Sequence, residues 1–274
     1  MSSTLSKREK IINTSKIFKF IASIKTIAYF EIIRENKNIF GGLVYVFLKP
    51  FIVTMILYIF IVVIRKGYPI AEGISDFLLP ITFFYLINDL MNSTNFFDSR
   101  VSYKYLPNVN DLSILFGRIL QSLVVYYLVV LLVIVFIYFV GLNINLSSLM
   151  YLFTTSFFFG AFYFLAGAII FSGNPSLKEL HSYIPRFLIF VSCVIFPLQI
   201  FPTEIQKILL WNPIVHIMEL ARVGIHQNIL VNKPPFLSLI YPVACIFIFL
   251  IAFIIGYIIK IQVIRYQKNI KDFV

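Results

Sequence analysis

His216, Glu219 and Arg222 follow one another at intervals of three and so fall near one face of a helix. An imidazole beside a carboxylate suits a metal ion or proton transfer. With an arginine one turn further on, the simpler reading is a local ion pair at the outer membrane surface. His181 and His226 have no ligand-spaced neighbours and read as solvated histidines. Asp89, next to Asn88, is the only acid well inside an apolar run. Intramembrane charge is costly enough to flag function, but proton carriers use chains of such groups. A single Asp near a helix end reads better as a helix–helix hydrogen bond or as an end residue snorkelling to the interface. Tyr126, Tyr127 and Tyr163 stand near the centres of apolar runs, away from the interfacial belts where a phenol is readily solvated. A hydroxyl in hydrocarbon needs a partner. The tyrosines either hydrogen-bond between helices, the preferred account, or line a wet path where hydroxyls and aromatic faces hold a sugar chain.

Other chemistry finds little support. There is no GxxxxGK[ST] phosphate loop, so any nucleotide energy of that kind comes from a partner. No HExxH, no GxSxG elbow and no paired cytoplasmic carboxylates support a hydrolase. Cys193 and Cys245 lie inside apolar runs, without the spacing of a redox pair or a thiolate metal site. No cofactor is expected.

The elements that must position these residues are built for lipid. Of 274 residues, 60% are hydrophobic and 13% charged, and the mean hydropathy is +0.92. A span needs about 20 apolar residues. The runs 43–64, 77–91, 114–140, 149–171, 187–201 and 236–259 are read as spans, the second and fifth being short. The first 38 residues are mixed in character, so no cleaved leader is expected. With the N-terminus inside, 18 of the 23 Lys and Arg residues fall on cytoplasmic segments and 5 outside. The positive-inside rule therefore places both termini in the cytoplasm. The net charge of +11 serves topology, not nucleic acid, because the basic residues are not gathered on one soluble face.

Within 16–40, Ile17, Phe20, Ile21, Ile24, Ile27 and Ala28 recur at helical spacing, opposite Lys16, Lys19, Ser23 and Thr26. That pattern predicts an interfacial helix on the inner leaflet. Lys207–Ile225 is apolar but broken at Trp211-Asn212-Pro213, which predicts two short amphipathic helices, within 203–230, that dip into the outer leaflet and return. Ser156/Gly160 and Ala252/Gly256 are small-xxx-small pairs that permit close helix approach. The fold class expected is all-α integral membrane, with six transmembrane helices, an N-terminal interfacial amphipathic helix and a short re-entrant helical hairpin before the last span.

Three motifs carry a family resemblance. Leu106-Pro107-Asn108-Val109-Asn110-Asp111-Leu112-Ser113, followed by Gly117-Arg118-Ile119-Leu120-Gln121, is similar to the cytoplasmic loop and third-span entry of the capsular-polysaccharide branch of type-2 ABC exporter permeases. Asn212-Pro213 with His216, Glu219 and Arg222 resembles the signature before their last span. Arg34-Glu35, then Lys37-Asn38-Ile39 and Tyr45-Val46-Phe47-Leu48-Lys49-Pro50, resembles the end of their interface helix and the start of span one. The chain departs from the pattern at Tyr45, Lys49, Ser113 and Gly41-Gly42.

The resemblance implies an inner-membrane permease subunit, itself no enzyme, that forms a homodimer. It would bind two copies of a separate ABC ATPase and export a lipid-linked polysaccharide along the dimer interface toward envelope-spanning partners. On that basis Arg34, Glu35, Asp98, Arg100, Tyr103, Lys104 and Arg118 couple to the ATPase. Trp211, Asn212, Pro213, His216, Glu219 and Arg222 form an outer gate, and Tyr126, Tyr127 and Tyr163 bear on the glycan. The rivals are a membrane-embedded transferase acting on lipid-linked glycan, a non-transporting assembly subunit, and an exporter of another cargo such as O-antigen, teichoic acid or a drug.

Overall fold

In a computed structural model of the chain, residues 17–30, 70–93, 111–139, 145–171, 175–226 and 228–271 are described, with isolated positions between 41 and 56. All regular structure among them is helical. The helices are α1 (17–30), α2 (Ile70–Asn92), α3 (Asp111–Phe139), α4 (Leu146–Ile170), α5 (Pro175–Val191), α6 (Thr203–Leu209), α7 (Pro213–His226) and α8 (Ile240–Lys271). By length and composition three stretches can cross a membrane: Leu112–Phe139, Leu146–Ile170 and Ile240–Gln262. Phe77–Asn92 is a shorter apolar helix. Most of the expected span 43–64 lies outside the described residues, as do Arg34, Glu35, Asp98, Arg100, Tyr103 and Lys104.

The centre of the protomer is α4, which packs on α2 and α8 and also meets α7; α3 lies against α2. Both small-xxx-small pairs fall at close contacts. A Cβ built on Gly160 would stand 2.9 Å from Leu90 Cδ1 and 3.3 Å from Ile87 Cα, so α2 and α4 touch nearly backbone to backbone. A Cβ on Gly256 would stand 2.9 Å from Ile169 Cγ2 on α4. Without a hydrophobic drive between helices in lipid, such close van der Waals packing holds them together. The core along these seams contains Phe83, Phe84, Ile87, Val133, Leu152, Met218 and Leu220.

Helix ends differ from the hydropathy pattern where local chemistry intervenes. The run 187–201 is α-helical only to Val191. There Ser192 N–H donates to Leu188 O at 2.9 Å, and Cys193 takes the left-handed conformation at φ 55°. A helix commonly ends in such a residue, usually glycine; a side chain there costs roughly 1–2 kcal/mol. The last helix begins at Ile240, not at Phe236, because Pro234 and Pro235 hold the approach and the Ser238 hydroxyl accepts from Tyr241 N–H at 3.1 Å.

Candidate functional site

Two polar clusters stand among the helices, and each includes residues of the sequence motifs. The first joins the end of α2 to the start of α3. Arg118 is fixed by donating Nε–H to Ser93 Oγ (2.8 Å), Nη2–H to Asp89 Oδ1 (3.0 Å) and Nη1–H to Gln121 Oε1. Ser122 donates to the second Asp89 oxygen at 2.9 Å, and Ser93 Oγ to Asp89 O at 2.7 Å. The Arg118 side chain is 7% exposed and that of Asp89 32%, so the arginine is the more deeply buried partner of the ion pair. Asp89 is thus the helix–helix hydrogen bond favoured from sequence. Its partner went unforeseen, although Gln121 and Ser122 share a helix face with Arg118.

The second cluster gathers around α7. Asn212 is the N-cap: its Oδ1 accepts from Ile214 N–H at 3.0 Å, and Pro213 fills the first helical position, where no N–H is needed. The same amide donates Nδ2–H to Ser192 Oγ at 2.9 Å, tying the cap to the end of α5. Glu219 accepts Leu198 N–H at 2.9 Å and pairs with Arg222. Arg222 Nη2 donates to Cys193 O (2.6 Å) and Val194 O (2.9 Å), gripping the left-handed turn. Glu219 and Arg222 are 5% and 7% exposed, so the expected ion pair is present but buried, not superficial.

His216 stands apart from that pair. Its Nδ1 accepts from Ser238 N–H at 3.1 Å, which leaves Nε2 to donate to Leu210 O at 3.0 Å. One ring nitrogen must therefore be bare, and the imidazole is neutral with its proton on Nε2. Burial pushes the pKa below the usual histidine value; the Leu210 hydrogen bond opposes that shift and Lys233 adds to it. The alternative of His216 and Glu219 sharing a metal has no geometric support, since they face different segments. Among the described residues no three His, Cys, Asp or Glu side chains gather as a metal site. Trp211 is 81% exposed; its backbone is engaged, the N–H donating to Ile208 O at 3.1 Å and the carbonyl accepting from Tyr241 Oη–H at 2.7 Å.

The tyrosines divide. Tyr126 is buried in a core cluster with Leu86, Leu90 and Phe164. Tyr163 Oη is 2.8 Å from His181 Nε2, and the two rings stack. His181 is 1% exposed and also packs on Phe171, which corrects its reading as a solvated histidine: a long apolar helix stands opposite it, a fact that loop-like local sequence conceals. Tyr127 faces outward, 49% exposed, with its ring edge against Phe153.

No protein-family model matches the chain. The chain is similar to two curated Escherichia coli proteins, each named polysialic acid transport protein KpsM. One is 27% identical over 123 residues, covering 44% of this chain and 47% of the relative. The other is 26% identical over 127 residues with the same coverage. The matched stretch thus spans about half the length of these relatives. Their likeness bears out the resemblance to type-2 ABC exporter permeases of the capsular-polysaccharide branch that the motifs carry.

Proposed function

We propose that this chain is the membrane-embedded permease subunit of an ATP-driven exporter that moves a lipid-linked, capsule-type polysaccharide across the inner membrane. The observation that carries the reading is the likeness to two polysialic acid transport proteins, which agrees with three motifs met in the same order along the chain. Six spans with both termini cytoplasmic complete the proposed topology, with α1 as the interfacial helix on the inner leaflet and α6 and α7 as the re-entrant outer pair. The subunit supplies no nucleotide chemistry of its own. Two copies of a separate ABC ATPase drive it through Arg34, Glu35, Asp98, Arg100, Tyr103, Lys104 and Arg118, and envelope-spanning partners receive the glycan.

A second copy of the chain completes the pathway. Leu180, Tyr183, Ile184, Phe187 and Phe190 recur at helical spacing along α5, all exposed, while α5 packs against α2 and, through His181, on Tyr163 of α4. This apolar stripe suits a symmetric partner helix. Tyr127, the outward-facing tyrosine, is the side chain of the three best placed to meet a sugar; Tyr126 and Tyr163 shape the wall behind it. Trp211, Asn212, Pro213, His216, Glu219 and Arg222 form the outer gate, in which Trp211 presents the free surface and the other five set the position of α7.

Purification in mild detergent through an affinity tag, followed by mass spectrometry, tests the reading. An ABC ATPase should co-elute in equal amount with a dimer of this chain. A clean monomer without an ATPase, under conditions that preserve other such complexes, would overturn it.

A further inference from the structure

The docking face of α1 differs from its apolar face as read from sequence. Phe20, Ser23, Ile24 and Ile27 turn toward α3, while Ile17, Phe18 and Ile21 stay exposed. Ser23, read as polar-side, is a contact residue: its Oγ is 3.1 Å from Ser113 Oγ. Phe20 meets Phe116 edge to face with ring centroids 6.5 Å apart. The tightest point is Gly117, where an added Cβ would lie 2.7 Å from Ile27 Cγ2, 2.9 Å from Ile27 Cβ and 3.3 Å from Ile24 O. Atoms do not approach that closely, so a methyl group at 117 would require α1 to lift away from α3. The next residue, Arg118, carries the buried bonds to Asp89 and Ser93 at the end of α2.

From these adjacent contacts we propose that Gly117 is the seat of α1, and that Gly117 and Arg118 together make α1, α2 and α3 one lever. A push on α1 then moves the ends of α2 and α3 as a unit. The inference rests on the exporter reading, in which a separate ATPase supplies the push. Gly117 acts as a positioning residue, through close contact alone. Interfaces packed this tightly transmit displacement because they do not deform continuously.

Two experiments on the full-length chain test it. In native membranes, Ser23→Cys with Ser113→Cys should form a disulfide on mild oxidation, since the two hydroxyl oxygens already touch. Adding Gly117→Leu should cut that cross-link at least fivefold, and adding Ile27→Ala as well should restore it. In the complex with its ATPase, Gly117→Leu should leave co-elution intact while glycan export per ATP hydrolysed falls at least tenfold; Gly117→Ala should give a smaller loss, and Ile27→Ala should again rescue. Rescue by removing bulk on the partner helix is a response that a general folding defect does not give. An undiminished cross-link or undiminished export in Gly117→Leu overturns the proposal, as does failure of Ile27→Ala to rescue either. If the unaltered chain carries no ATPase while the cross-link behaves as stated, the lever falls with its premise, and the intact seat distinguishes that failure from a wrong reading of the contact.

Discussion

Replacing Arg222 by leucine removes the residue that organises the cluster around α7. The loss leaves the Glu219 carboxylate buried without its counter-charge and withdraws the donor that serves both Cys193 O and Val194 O. Breaking a buried ion pair by removing one partner costs about 3–5 kcal/mol. At about 2–4 °C per kcal/mol for a chain of this size class, the melting temperature should fall by roughly 6–20 °C. The assay is a thermal scan of the detergent-solubilised protein, read by the fraction remaining monodisperse on size exclusion. The double variant Arg222→Leu with Glu219→Leu separates charge from packing. It removes both charges, so that the Leu198 N–H and the Cys193 and Val194 carbonyls lose neighbours but no buried charge is left unpaired, and it should be no less stable than Arg222→Leu alone even though a second side chain has changed. Arg222→Lys should fall between, because an ammonium lacks the planar fork that reaches the carboxylate and the carbonyls at once. A shift under 2 °C for Arg222→Leu, or a double variant losing the sum of two large single effects, would refute the clasp.

The cluster at the start of α3 should be more forgiving: Asp89→Ala leaves Arg118 still bonded to Ser93 and Gln121 beside a partly exposed position, so we expect about 1–3 kcal/mol and a smaller thermal shift than that of Arg222→Leu in the same scan. Gly160→Val forces bulk against Leu90 and the Ile87 backbone and should cost about 1–3 kcal/mol or more; Leu90→Ala in the same chain should recover part of the loss in melting temperature. His216 gives a pH dependence whose sign follows from its hydrogen bonds. The folded pKa lies below the ordinary 6.5, so above that pH the ring is neutral in both states and its contribution is fully present. As the pH falls below 6.5 the unfolded chain takes the proton first, and stability declines until the folded pKa is passed. Melting curves from pH 7.5 down to 5 should show an acid loss in the unaltered protein that is smaller in His216→Gln; equal losses would contradict the tautomer assigned.

What could be read in the sequence and what could not are divided by chain distance. Asn212-Pro213 was legible as a break because capping is a local affair: the amide oxygen reaches an N–H two residues on, and proline fixes the first turn. The long apolar helices α3, α4 and α8 were legible because a run of that composition has few other solutions in lipid. Spacing also showed that Glu219 and Arg222 could share a face and pair. What spacing cannot supply is the segment lying opposite. Arg118 finds Asp89 29 residues away, Arg222 finds Cys193 O at the same separation, and Ser23 finds Ser113 90 residues away. For that reason Arg118, read from sequence as an ATPase-coupling residue, and His216 and Arg222, read as part of an outer gate, are seen to bond to backbone and side chains of other segments. Arginine suits both clusters because its fork can satisfy several acceptors from one buried position. A motif that is dense in polar residues inside an apolar chain is therefore ambiguous between handling a ligand and holding helices together. Here the hydrogen-bond count favours the second for Asn212, His216, Glu219 and Arg222. In the exporter proposed above, that leaves the exposed Trp211 and Tyr127 as the aromatic surfaces of the two sets that are open to a glycan.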